Sequence, residues 1–322
     1  MRAREAWVPL EERARGTMEI KIARYVGFCP GVRRALRLAD EALASAEGKV
    51  FSLGPIIHNP RVVEELRGKG LEILPEEEHA LREIPLKGAL VIVRSHGIPP
   101  STARLLQERG ALLVDATCPT VKKAQRAAMR LVGEGYRLFV IGDAKHPEVV
   151  AILGHVGGNA EVIKDTQELK EWWRVRAEKV RKVGLIAQTT VDLLMFRSLL
   201  DGLINDVPEL MRELGEMKLI NTLCRNTLAR QTEALKAAFE SDLVVVVGGR
   251  NSSNTEFLRK ICATTGTRTL KVECAEELTA DSIGEASRIA VLGGASTPAS
   301  SIDEVYRKLA ELSTGGSAPA DA

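Results

Sequence analysis

From about Met18 to Leu312 the chain alternates between two hydrophobic periods. Short, mostly aliphatic runs such as "KVFSLGPII", "GALVIVRSHG", "ALLVDATC", "RLFVIGD", "KVGLIAQTT", "LVVVVGG" and "RIAVLGG" read as strands. Between them lie stretches with apolar residues every three or four positions, which read as helices. "RVVEELRGKG", "PSTARLLQERG", "AQRAAMRLVGEG", "HPEVVAILGHVG", "DLLMFRSLLDGL", "QTEALKAAFESD", "NTEFLRKICATTG" and "IDEVYRKLAEL" are of this kind, and several stop at glycine. Buried-type strands separated by helices predict an α/β fold with mostly parallel sheets covered on both faces. The pattern leaves strand order open.

A weak internal echo is laid over this alternation. Three times a strand-like run ends at a cysteine that opens a basic, amphipathic helix: "IARYVGFCPGVRRALRLAD", "ALLVDATCPTVKKAQRAAM" and "MKLINTLCRNTLARQTEAL". Cys29, Cys118 and Cys224 are 89 and 106 residues apart, each interval about one small α/β unit. The echo suggests three similar lobes, each presenting a thiol at the same structural position. A helix N-terminus favours thiolate, the form that binds metal. The wide spacing fits neither a zinc finger nor a ferredoxin-type run. Soft sulfur ligands from distant segments suit an iron–sulfur cluster. With only three ligands, one iron would be left open as a Lewis acid. Three ordinary buried cysteines are the competing reading. Cys262 and Cys274 read as core or supporting residues.

Composition narrows the class. The 322 residues are 45% hydrophobic and 27% charged but only 4% aromatic, so the core must be aliphatic. A net charge of +2 without a basic stripe argues against nucleic acid as a partner. No apolar run is long enough for a membrane span, and the opening "MRAREAWVPLEERARG" lacks the apolar segment of a secretory signal. Translation could start at Met1 or Met18. An odd number of cysteines in a chain this long points to a reducing, cytoplasmic setting.

Polar groups gather where the strand runs end. His58, His96 and His146 follow strands in loops marked by glycine or proline, the usual place for ligands in α/β proteins. Glu148 lies two residues beyond His146, and a carboxylate so placed could pass a proton to a leaving oxygen. It could equally serve only to stabilise the first turn of its helix. "VVVVGGRNSSNTEF" and "IAVLGGASTPAS" each run from a strand through two glycines to hydroxyl groups at a helix start, a natural phosphate cradle. They present Ser252, Ser253 and Asn254, and Ser296 and Thr297. Neither is a Walker A or dinucleotide fingerprint. Thr189 and Thr190 in "IAQTTVD" form a third, weaker hydroxyl site. His79 reads as solvated, and His155 has no supporting context. The inventory suggests redox or Lewis-acid chemistry on a small phosphorylated substrate.

Eight segments together resemble the 4-hydroxy-3-methylbut-2-enyl diphosphate reductase family of the non-mevalonate isoprenoid pathway. They are "GFCPGVRRA", "GPIIHNPRVV", "RSHGIP", "DATCPTVKKAQ", "HPEV", "QTT", "GGRNSSNT" and "GGASTP", in the family's order from about Gly27 to Pro298. The resemblance implies a trefoil of three similar α/β lobes around a central, oxygen-sensitive [4Fe-4S] cluster held by Cys29, Cys118 and Cys224. It implies that His58, His96, His146, Ser252, Ser253, Asn254 and Ser296 surround the substrate diphosphate. Glu148 matches the proton-relaying acid, with His146 and Thr189 assisting. Two electrons and two protons would remove the allylic hydroxyl as water, giving isopentenyl and dimethylallyl diphosphates, with flavodoxin or ferredoxin as donor. A cytoplasmic monomer is expected.

The lobes are expected at 31–117, at 118–220, and at 18–30 with 221–310. Residues 1–17 are expected to form an extension and 311–322 a flexible tail. One departure is Asn226: "CRNTLARQ" stands where the family often has "CxATxxRQ". A non-redox enzyme of a phosphorylated metabolite and a non-catalytic iron–sulfur sensor are the alternative readings.

Overall fold

The computed structural model describes residues 18–176, 180–206, 214–250 and 252–314. The expected extension at 1–17 lies outside the described residues. Twelve strands form three sheets of four: β1 (Glu19–Ile22), β2 (Val50–Leu53), β3 (Leu71–Leu74), β4 (Leu90–Val93), β5 (Leu112–Asp115), β6 (Arg137–Ile141), β7 (Ala160–Ile163), β8 (Lys182–Ala187), β9 (Glu216–Leu219), β10 (Leu243–Val247), β11 (Arg268–Val272) and β12 (Arg288–Gly293). The orders are β3-β2-β4-β5, β7-β6-β8-β9 and, read from the same edge, β11-β10-β12-β1. Every neighbouring pair is parallel. The three sheets therefore share one topology. The chain closes the figure by lending its first strand to the last sheet.

Side-chain alternation along the strands decides which residue enters which core. In the third sheet Leu243, Val245, Val247, Ile289 and Val291 pack on one face, while Val244, Val246, Ala290 and Leu292 pack on the other. The second sheet divides the same way: Phe139, Ile141 and Leu185 lie opposite Leu138, Val140 and Ile186. In the first, Val50 and Ile92 lie opposite Phe51, Leu53, Val91 and Val93. Each fully buried aliphatic side chain contributes roughly 1.5–3 kcal/mol. Such two-sided burial lets strands of four to six residues hold without long ladders. The result is an α/β trefoil of three similar lobes.

Parallel pairing brings all four strand ends of a sheet to one edge, where the helices begin. Caps fix those beginnings: Asn59 Oδ1 accepts from Val62 N at 3.2 Å, and Ser252 Oγ accepts from Thr255 N at 3.4 Å. Pro30, Pro60, Pro119 and Pro147 occupy first helical positions, where a missing N–H costs nothing. Residues 311–314, expected in a flexible tail, instead close the helix Ala299–Thr314. Leu309 is fully buried and Leu312 packs on the same core, so the helix is held to its end. The remainder of that expected tail lies outside the described residues. No helix among the described residues is long and apolar enough to cross a membrane.

Candidate active site

The shared topology gives each lobe the same set of seats around one central cavity. The fifth residue after the first central strand is His58, His146 or Ser252, counted from Leu53, Ile141 and Val247. Two residues further on are Pro60, Glu148 and Asn254. Beyond the next strand, ending at Val93, Ala187 or Gly293, come Ser95–His96, Thr189–Thr190 and Ala295–Ser296. The fourth strand of each sheet leads to Cys118, Cys224 or Cys29. Equivalent backbone hydrogen bonds lock the cysteines in place. Cys118 N donates to Ser95 O at 2.9 Å, Cys224 N to Thr189 O at 2.9 Å, and Cys29 N to Ala295 O at 3.0 Å.

Each cysteine is the N-cap of its helix, half-buried and free of disulfides. Cys29 Sγ accepts from Val32 N at 3.4 Å, whereas Cys118 and Cys224 make no side-chain cap and keep their sulfurs for the cavity. Sequence reasoning expected the helix ends to favour thiolate. At Cys29, burial pushes the thiol up; the N–H groups of Val32 and Gly31 oppose this, and nearby Cys224 and Cys118 add to it. Three sulfurs gathered away from water repel one another as thiolates, so the arrangement calls for a cationic centre. Gly31 shows how close they are: a Cβ there would stand 2.9 Å from Cys118 Sγ and 3.8 Å from Cys29 Sγ. Space free of side chains beside three soft ligands fits a metal–sulfur group. The other two cysteines sit elsewhere. Cys262 is fully buried under Ala234 O with its thiol pushed up to about 12, and Cys274 lies beside Glu277.

Across the cavity Glu148 is only 1% exposed. Its two oxygens accept from Thr189, Oε1 from N at 2.6 Å and Oε2 from Oγ1 at 2.7 Å. Burial nevertheless dominates and raises its pKa to about 7, with the Thr189 bonds opposing. The shift is the opposite for His146, lowered to about 4 chiefly by burial, with His58 and Arg94 adding to it. His146 Nδ1 accepts from Glu148 N at 3.2 Å, so a neutral ring carries its proton on Nε2. The rings of His58 and His146 flank that of His96, with centroids 5.1 and 5.3 Å away. Burial holds His58 low, and holds His96 well below the usual range. Among the described residues, the buried Nδ1 of His96 has no hydrogen-bond partner.

The third lobe contributes hydroxyl and amide groups instead. Ser252, Ser253, Asn254 and Ser296 line the cavity. Ser296 Oγ donates to His58 O at 3.2 Å, and Asn59 Nδ2 donates to Ser296 O at 3.0 Å, joining first and third lobes. The paired glycines of both loops have a steric reason. A Cβ on either Gly248 or Gly294 would come within 2.4 Å of Thr255 Oγ1, and Gly248 has φ +155°. Thr297 lies behind this surface, donating to Val247 O at 2.9 Å.

Apart from Thr297, the residues singled out for chemistry meet in one cavity: three cysteines, three histidines, Glu148, Thr189, Thr190 and the Ser/Asn set. His79 is exposed on a short helix, as read from sequence, and His155 ends the helix Pro147–His155 outside this cavity. Ser95, Thr120 and Thr227 also line it and were not singled out. Their signal was the echo itself, since Ser95 holds the seat of Thr189, and Thr120 that of Asn226.

A family sequence profile described as "LytB protein" matches residues 20–310. The 4-hydroxy-3-methylbut-2-enyl diphosphate reductase of Geobacter sulfurreducens is 40% identical over 295 residues, covering 92% of this chain and 98% of the relative. That of Aquifex aeolicus is 38% identical over 301 residues, with the same coverage. A solved structure of (E)-4-hydroxy-3-methyl-but-2-enyl diphosphate reductase, 37% identical, superposes with a TM-score of 0.66 over 92% of this chain and all of that one. The reductase of Plasmodium falciparum, only 23% identical, shares the fold, with a TM-score of 0.80 over 90% of this chain and 87% of its own. The family profile and the full-length relatives agree with the geometry: the chain belongs to the LytB protein family.

Proposed function

We infer that this chain reduces (E)-4-hydroxy-3-methylbut-2-enyl diphosphate to isopentenyl and dimethylallyl diphosphates. The C–O bond breaks, the oxygen leaves as water, and a C–H bond forms at the allyl group. Two protons and two electrons enter. The observation that carries the reading is the meeting of one cysteine from each lobe with a fully buried Glu148, its pKa raised to about 7, in a single cavity. Full-length relatives bearing this enzyme's name support the choice of substrate.

Cys29, Cys118 and Cys224 are the residues that would hold a [4Fe-4S] cluster. When bound, such a group supplies electrons and a Lewis-acidic corner. Every other part of the task falls to the protein. Hydroxide is a poor leaving group, and Glu148 stores the proton that lets it depart as water. Thr189 fixes both carboxylate oxygens, so the acid cannot swing away. The neutral rings of His58, His96 and His146 can donate N–H groups to a diphosphate without adding full charges. One ring nitrogen from each lies within 4.8 Å of those of the other two. That spacing could also suit a cation; Arg94 lowers all three rings and so favours an anion, an effect that its two-point pair with Glu76 partly offsets. Ser252, Ser253, Asn254 and Ser296 complete the cradle, anchoring the unreactive end so that the alcohol carbon is presented correctly.

An acidic one-electron carrier, flavodoxin or ferredoxin, is the donor this chemistry requires in two encounters. The cavity is complete within one chain, which supports a monomeric working unit, and five unbridged cysteines support a reducing compartment such as the cytoplasm. The test is anaerobic purification, followed by iron and sulfide analysis and turnover with a reduced donor. One [4Fe-4S] equivalent per chain, with formation of both products, is expected. Iron-free protein with full activity would overturn the reading.

A further inference from the structure

We propose that a second cavity, in the seam between the first and second lobes, binds a small anion carrying an apolar tail. It is an open cleft of about 450 Å³ between the helix Pro100–Glu108 and the Cys118 helix, Pro119–Gly133. This is within the size range of small-molecule sites, which favour such seams. Ile98, Leu113 and Met129 give it an apolar lining, and Met129 is 43% exposed, an open place for so large an apolar side chain.

The charges in the cavity do not cancel. Lys122 is paired with Asp115 at 2.5 Å, and burial lowers the pKa of His155, keeping it neutral. Arg104 and Arg126 also line the cavity and make no ion pair among the described residues. Two guanidinium groups are thus left over at an apolar pocket, the complement of a phosphate or carboxylate head on a hydrocarbon body. A separate observation points to a ligand. Gln125 lines the same cavity, is only 5% exposed, and its Nε2 is buried with no hydrogen-bond partner among the described residues. A buried amide N–H without an acceptor is rare in folded proteins. Nε2 is turned toward Gly97, and rotation of the Gln125 amide toward the cavity would give it an anionic oxygen there as acceptor.

The cavity shares a wall with the catalytic one. A Cβ on Gly97 would stand 2.6 Å from Gln125 Nε2 and 3.2 Å from Thr117 Cγ2. Gly97 follows His96 and Thr117 precedes Cys118, so an occupant bonded to Gln125 presses on the loops that hold both. The site itself does not depend on the reductase reading.

The test uses the holoenzyme labelled with ¹³C at its methionine methyl groups, under anaerobic conditions. Of the six methionines only Met129 lines this cavity among the described residues, and Met129→Leu identifies its resonance. Titration with n-hexyl phosphate or hexanoate is expected to move that resonance saturably, and a response to either supports the site and identifies its head group. Arg104→Ala combined with Arg126→Ala changes two exposed side chains and should weaken binding at least tenfold. Ser252→Ala, which alters only the catalytic cradle, should leave it unchanged. An unmoved Met129 resonance would overturn the proposal. So would equal affinity in the double variant, or an equal response to inorganic phosphate or to hexanol.

Discussion

The second and third lobes place different chemistry on the same scaffold. His146 and Ser252 hold the same seat and both cap their helices, His146 Nδ1 accepting from the N–H two residues on and Ser252 Oγ from the one three residues on. Two residues on, Glu148 faces Thr189 from full burial, while Asn254 in the corresponding seat is partly exposed to the cavity. The first lobe has proline there. Backbone topology thus fixes where a side chain points, and the side chain alone decides whether that seat moves a proton, holds an anion or does neither. The cysteines are the exception, because all three lobes keep the same one.

That contrast ranks the expected effects. Changing Cys29, Cys118 or Cys224 to Ser strikes the feature the lobes share, so the three variants should fail alike. Residues that merely support metal ligands usually matter 10–100-fold, so loss of a ligand should lower turnover by at least about 100-fold. Iron content should fall with it. One variant retaining full iron and activity would break the equivalence of the lobes.

Glu148→Gln separates the second lobe from the third. It keeps the shape and removes the acid, so turnover should fall by roughly 10²–10⁴-fold, the usual contribution of a positioned general acid. Iron content and diphosphate affinity should be retained. The pH profile carries the same information. With its pKa raised to about 7, Glu148 is protonated below that pH and charged above it. Turnover of the native chain should therefore decline as pH rises through about 7. His146, lowered to about 4, stays neutral across this range and contributes no second limb there. The residual rate of Glu148→Gln should be flat between pH 6 and about 8. A surviving limb near pH 7 would move the acid's role to another residue. Asn254→Ala should show the converse: KM about tenfold higher, near the 1.5 kcal/mol of a hydrogen bond to a charged group, with kcat much less affected.

Much of this arrangement was legible in the chain because two regular signals coincided. Hydrophobic periodicity marked the central strands, and the repeated cysteine-to-helix junction marked the pseudo-threefold plan. The edge strands β3, β7 and β11 were not singled out. "LEIL", "AEVI" and "RTLKV" are short, mixed with polar residues and only partly buried, so their pattern is that of any half-exposed segment. Seats such as Ser95 and Thr120 were missed because serine and threonine are common at strand ends and helix starts for local reasons. The electrostatics of Cys29 were also not legible. Desolvation and neighbouring sulfurs depend on all three lobes meeting, which no single segment encodes.

The smallest expected effect tests whether every cavity-lining residue is chemical. Asn226 occupies the third-lobe seat held by Gly31 and Thr120 in the others. Its Oδ1 accepts from Arg230 Nε at 2.9 Å. Arg230 in turn donates to Gly293 O at 2.8 Å through Nη1 and to Gly27 O at 2.7 Å through Nη2, clamping the end of β12 to the loop that carries Cys29. The geometry therefore makes Asn226 a brace for a buried guanidinium. Asn226→Ala removes one of its bonds and leaves those to the backbone carbonyls of Gly27, Gly293 and Gly294. The variant should lose about 1 kcal/mol of stability, the net worth of one such bond, seen as a lower denaturation midpoint. Turnover should stay within about twofold, since the other hydrogen bonds still fix the loop. A tenfold loss of turnover at unchanged stability would instead put Asn226 in contact with the reacting group, making the third lobe more than an anchor.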